Sequence, residues 1–328
     1  MEISRVYSFI LINELLDLDK ELISIYPGFV LRKASKDHIG LIKRSIRYLS
    51  SGFDHNPFEN NTALSKGRYS YEKLKPSSFR YSIIEFNGFL TPPGFIEALI
   101  LSNLRLNCLA TFFNIFDTDD PEDEGTLGFQ HYESRGFNLL IDTYQNLSSK
   151  ITAKYLRKPP KQHEIKDFQG VYESLKNLQG KAEFNVIIKS AEDFVKIKDI
   201  SVDSPFRTLS YISILELLLT VAPKNSNDTS ITKQLSKKIK FLATNYIKDL
   251  DFTEYFLGPD TNTIETIMKK LYEYRSDIAH GNFPDFNKDL KIISDNLENV
   301  LPFLDFLVRK LIRFGIFYPS ILIGLKEI

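Results

Sequence analysis

The chain has 328 residues, of which 43% are apolar, 26% charged and 13% aromatic, a composition that supports a buried core and excludes global disorder. Its 42 lysines and arginines balance 42 aspartates and glutamates, so no net charge announces a nucleic-acid coat or a membrane surface. A partner of either kind must be met by a local patch.

The single cysteine, Cys108, excludes an internal disulfide and a cysteine-based zinc site, and it suits a reducing cytoplasm and a core-filling role. No targeting segment is visible: the apolar stretch Val6–Ile12 is cut by Asn13 and Glu14 before any small-residue cleavage site. The most apolar later stretches, Ile212–Val221 and Phe314–Leu325, are interrupted by Glu216 and Pro319 and fall short of the roughly 20 residues a spanning helix needs. The expectation is a soluble, cytoplasmic protein with no membrane partner.

At this length two domains are expected, a mixed α/β domain over residues 1–160 and a helical domain over 161–328, giving an α+β protein. Strands are expected at Val6–Ile12, Phe29–Leu31 and Tyr81–Phe86. One helix is expected after Ser35, an N-cap before Ile39, Ile42, Ile46 and Leu49. Glycine, proline and asparagine clusters mark loops at Gly52–Lys66 and Asn87–Gly94, while Phe95–Phe116 is ambiguous between helix and strand. Six of the eight residues Asp117–Glu124 are acidic, but they lack the alternating ligands and placed glycine of a calcium loop, so a solvated loop is expected. Lys150, Lys154, Arg157, Lys158 and Lys161 lie in an acid-free stretch ending near Pro159–Pro160, which reads as a linker with phosphate-contacting potential.

The second half carries four amphipathic helical patterns. The first opens at Ser204–Pro205 and runs through Leu209, Ile212, Leu215 and Leu219; the second spans Ile231 to Tyr246. A third has Ile264, Ile267, Met268, Leu271 and Ile278 and stops at Gly281. The fourth runs from Leu290 to Leu311 with Pro302 as a kink. Four such helices make a bundle, and their leucine and aromatic stripes are core.

Glycine-rich phosphate loops, Gly-x-Ser-x-Gly turns and His-x-x-x-His pairs are absent from the sequence. What remains is the end of the third helix, LYEYRSDIAHG over Leu271 to Gly281, in which four residues separate Arg275 from His280. The spacing alone is weak, because Arg32 with His38 and Arg157 with His163 each have five intervening residues. The first of these pairs precedes a helix and the second is broken by prolines, so only Arg275 and His280 close an amphipathic helix.

This segment resembles the Arg-x4-6-His signature of the HEPN superfamily, particularly its ApeA-like branch, over a stretch from about Phe184 to Leu311 that includes Leu215-Glu-Leu-Leu218. The resemblance implies an all-α HEPN-like bundle that cleaves RNA without a metal or other cofactor, works as a homodimer, and serves as a toxin or in antiviral defence. It implies as partners RNA, a second copy of the chain, and a regulatory protein or small-molecule trigger. The first half, of unknown role, is a candidate sensor or substrate-selecting domain.

The chemistry asks for the same residue types. Attack of a 2′-hydroxyl on the adjacent phosphate needs one group to take a proton, one to give a proton, and positive charge for the transition state. Histidine, with a reference pKa of about 6.5, plays either proton role, and arginine presents a charged fork to phosphate oxygens. One chain supplies one of each, so two helix ends facing across a two-fold axis would complete the set.

Around this pair, Ser276 either hydrogen-bonds a phosphate or is an exposed helix serine, and Tyr274 either stacks on a base or packs. Glu216 either reaches solvent, the reading preferred here, or neutralises a buried cation such as Arg275. Lys233, Lys237 and Lys240 share one helix face and form a candidate RNA-binding stripe, with Lys238 beside them. The bland alternative for Arg275 and His280 is a surface arginine and a helix cap, in which case the bundle is a non-catalytic dimerisation or nucleotide- or protein-binding module. A third alternative is an enzyme with its site at Asp117–Glu124.

Overall fold

In the computed structural model the chain is α+β, with an antiparallel sheet and helices. The structure describes residues 7–18, 22–46, 56–65, 68–88, 90–115, 126–131, 156–201, 204–221, 230–248, 250, 263–282 and 300–327. It divides into two compact units, residues 1–170 and 171–328, with the division falling inside a helix rather than at Pro159–Pro160.

The first unit is built on six antiparallel strands: β1 (Tyr7–Ile12), β2 (Ile23–Tyr26), β3 (Phe29–Lys33), β6 (Ser82–Phe86), β7 (Cys108–Ile115) and β8 (Thr126–His131). Their order across the sheet is β2-β3-β6-β1-β7-β8. Strand β1 reads as a continuous apolar run because it is central and both its faces are covered. Phe9 and Leu11 face helix α1 (Lys36–Ser45) together with Ile83, Ala110 and Phe112, the Phe9 and Phe112 rings stacking at 4.7 Å. On the other face Ile10 pairs with Ile84, and Phe29 lies between Phe86 at 5.1 Å and Phe95 at 4.2 Å. Phe95 opens helix α2 (Phe95–Leu101), so the ambiguous stretch from Phe95 resolves into a helix followed by β7, where Cys108 is buried.

The stretch expected as a loop from Gly52 to Lys66 contains strand β4 (Asn60–Ser65), which pairs with β5 (Arg68–Lys73). Its polar sequence, Asn-Asn-Thr-Ala-Leu-Ser, carries no apolar alternation, which is why it does not read as a strand. The expected linker is also corrected at Arg157. Its backbone bridges Leu16, and its guanidinium binds Glu14 at 2.9 Å, Glu164 at 3.5 Å and the Leu104 carbonyl at 2.6 Å. Arg157 thus serves intramolecular acids; Lys150 and Lys154, like Leu49, His55 and Asp117–Glu124, lie outside the described residues.

Ser35 caps α1 as expected: its hydroxyl accepts from the His38 backbone N–H, and the His38 Nδ1 accepts from the Ser35 N–H at 3.1 Å, closing a capping box. Burial holds the His38 imidazole below the ordinary histidine value against a smaller upward pull from Glu85. A depressed folded-state pKa means the unfolded chain binds the proton more readily. The stabilisation is therefore complete above the unfolded value of about 6.5 and is lost as pH falls through the folded one. Protonating Nδ1 also breaks the cap. Thermal melts between pH 7.5 and 5 are expected to show falling stability, with a shallower slope in His38→Gln; an unchanged slope would contradict this assignment.

The second unit is helical throughout its described elements. Helix α3 (Gln162–Leu178) crosses into it and is followed by α4 (Asn185–Ile197), α5 (Pro205–Leu219), α6 (Ile231–Asn245), α7 (Ile264–Ala279), α8 (Val300–Phe317) and α9 (Pro319–Glu327). The four expected helices are thus joined by α3, α4 and α9; the expected part of the fourth from Leu290 to Asn299 lies outside the described residues. Helix α5 is touched by α4, α6, α7, α8 and α9, which accounts for its apolar character on all sides. At the α8–α9 turn, Gly315 leaves room for Leu322, whose Cδ2 would lie 2.6 Å from an added Cβ. Among the described residues no helix is long and apolar enough to cross a membrane.

Candidate functional site at the end of helix α7

Helix α7 starts at Thr263, whose hydroxyl accepts from the Thr266 N–H at 3.2 Å. Ile264, Ile267, Met268, Leu271 and Tyr274 form its buried stripe against α5 and α6. Tyr274 therefore packs in the core and is not a surface for stacking a base.

The C-terminus is a Schellman turn. Gly281 takes φ of 77°, its N–H donates to the Ile278 carbonyl at 3.1 Å, and the Asn282 N–H donates to the Asp277 carbonyl at 2.9 Å. His280 is the C-cap, its backbone N–H donating to the Ser276 carbonyl at 3.0 Å, and its side chain is exposed. Among the described residues the imidazole has no hydrogen-bond or ion-pair partner. Ser276 is half-buried, and Asp277 is exposed with its carboxylate accepting from Asn282 at 3.3 Å.

Arg275 points elsewhere. Its Nη2 donates to Glu216 Oε2 at 3.0 Å, and the guanidinium lies over the Tyr272 ring at 5.7 Å. Glu216 is the one charged residue in the stretch from Thr208 to Leu219, and it sits where α5 faces α7, so the earlier preference for a solvent-facing Glu216 is overturned. The side chains of Arg275 and Glu216 are only 26% and 18% exposed, and a carboxylate at that depth needs a cation. Glu216 Oε1 and Arg275 Nε are buried without a hydrogen-bond partner. The guanidinium is thus anchored on one side with donor capacity remaining. Burial, and after it the Glu216 charge, raises the Tyr272 phenol above its ordinary value. Tyr272 is the member of this cluster that sequence reasoning missed. Its spacing of three from Arg275 is the available signal, but that spacing is common to every helix.

The structure joins Arg275 to Glu216 and Tyr272 and leaves His280 apart at the tip. A separation of five residues turns about 140° around a helix, so the two side chains leave on different sides.

The lysine stripe is partly corrected. Lys233, Lys237 and Lys240 are all exposed, but Lys240 binds Glu265 of α7 at 2.8 Å, a contact that holds the Glu265 carboxyl below its usual range. Among the described residues no three histidine, cysteine, aspartate or glutamate side chains are grouped to hold a metal ion.

No family model matches this chain, and no curated protein and no solved structure matches it.

Proposed function

We propose that the protein is a metal-independent endoribonuclease of the HEPN type that acts as a homodimer. The reading is carried by one observation: an amphipathic helix ends in a solvent-facing His280, five residues beyond a partly exposed Arg275 that is held by Glu216. In the reaction His280 of one protomer takes the 2′-hydroxyl proton as that oxygen bonds to phosphorus. The bond from phosphorus to the 5′ oxygen breaks, and the second protomer's equivalent imidazolium protonates the leaving oxygen. The products are a 2′,3′-cyclic phosphate and a 5′-hydroxyl. Arg275 supplies positive charge and charge-assisted hydrogen bonds to the phosphorane oxygens from its guanidinium. A role as a toxin or defence effector follows from the family resemblance.

Incubation of the intact protein with a mixed-sequence RNA tests the reading. Cleavage is expected to survive EDTA and to leave 2′,3′-cyclic termini; loss on chelation overturns the mechanism. The Glu216 contact also favours a second reading, in which Arg275 is a structural ion-pair partner within its own bundle and the bundle is a non-catalytic dimerisation or binding module. RNA left intact by a demonstrably dimeric protein selects that reading.

A further inference from the structure

The described segment Ser230 to Lys248 contains five lysines and no acid, of which Lys233 and Lys237 are exposed, Lys240 pairs with Glu265 and Lys238 is buried; on α8, Arg309 pairs with Asp305 at 3.0 Å and is followed by Lys310 and Arg313. Between these cations runs a chain of rings. Phe241 lies 5.9 Å from Tyr246, Tyr246 5.3 Å from Phe314, and Phe314 5.3 Å from Tyr318. Phe314 is buried and anchors the row, whereas Phe241, Tyr246, Tyr318 and the adjoining Phe317 are between 40% and 54% exposed. Large apolar rings are normally withdrawn from water, so four of them in one neighbourhood mark a binding surface. Arg313 lies over Phe317 at 5.8 Å, and Lys237 shares a helix face with Phe241 one turn away.

On the same helix as Phe241, Lys238 is buried with its ammonium donating to the Lys326 carbonyl at 3.0 Å, and Lys326 donates to the Leu217 carbonyl at 2.7 Å. Carbonyls rather than carboxylates receive both ammonium groups, so their charge is not cancelled locally. Burial, with Lys326's charge acting in addition on Lys238, holds both amines below the ordinary lysine range.

We infer that the aromatic row from Phe241 to Tyr318 is a stacking platform for single-stranded RNA, on a surface separate from Arg275 and His280. Unpaired bases offer π-faces to the rings while the flanking cations meet the phosphates. A double helix hides its base faces and a protein partner has no general need of the cations, so the combination selects a single strand. The choice of RNA over DNA rests on the ribonuclease reading; the platform itself does not.

Fluorescence anisotropy of the full chain with labelled U12, labelled dT12 and a 12-base-pair RNA duplex tests the inference. U12 is expected to bind tightest. Phe241→Ala and Tyr318→Ala are each expected to weaken U12 about tenfold, and Phe241→Tyr, which keeps a stacking ring, to change it less than about twofold. Lys237→Gln is expected to reduce the salt dependence by about one phosphate contact. An intact wild-type chain that binds U12 without cleaving it preserves the platform while the nuclease reading falls. U12 affinity unchanged by both alanine variants overturns the inference, as does an alanine variant that dissolves self-association while leaving U12 binding intact. Equal affinity for dT12 overturns the choice of RNA.

Discussion

His280→Ala is expected to lower RNA cleavage by about 10²- to 10⁴-fold, the usual yield of one general acid–base group. The circular dichroism spectrum should be unchanged and the melting temperature nearly so. The imidazole is exposed and the Schellman turn is made by Gly281 and backbone groups, so truncating the side chain removes chemistry and little structure. Arg275→Ala is expected to abolish cleavage as well, but with a cost in stability, because it leaves the Glu216 carboxylate buried without its cation. Arg275→Lys separates the effects: the charge stays and the fork is lost, so stability is largely kept while cleavage falls about 10- to 100-fold. Cleavage at the wild-type rate by His280→Ala would remove this helix end from the mechanism.

Glu216→Leu is expected to be the most destabilising of the site substitutions. Breaking a fully buried ion pair costs about 3 to 5 kcal/mol, and the 18% and 26% exposure of these side chains reduces the expected loss to about 2 kcal/mol. In a unit of this size that is a fall of roughly 4 to 8 °C in melting temperature. Glu216→Gln keeps an acceptor for the guanidinium and should lose about half as much. If Glu216 positions Arg275, both substitutions lower kcat with little change in KM, because they loosen a contact that matters when charge develops on the phosphorane. A purely structural Glu216 would lower melting temperature and leave kcat of the folded fraction unchanged.

Much of the architecture is local in origin and was legible. The apolar run at β1, the Ser35 cap, Ser204 with Pro205 at the start of α5, and Gly281 after α7 are each signalled within a few residues, because caps and turns are local steric and hydrogen-bonding devices. Helices α3 and α4 escaped notice because their apolar positions are diluted by charge, as in Gln-His-Glu-Ile-Lys-Asp-Phe. Strand β4 escaped because its polar residues are recruited by pairing with β5, which no periodicity records.

The pairing of residues distant in sequence is another matter. Arg275 and Glu216 are separated by 59 residues, Arg157 and Glu14 by 143, and the ring of Tyr246, just past the end of α6, meets that of Phe314 in α8. The amino-acid order alone determined β1, the starts of α1 and α5, the stop of α7, and that an arginine and a histidine close the same helix. Only the packed chain decided which way that arginine turns, that the lone charge of α5 is its counterion, and that scattered aromatic residues form one row among cations. The physical reason is that backbone conformation is governed by neighbours along the chain, whereas charge pairing and ring contact depend on distances in space that folding alone creates.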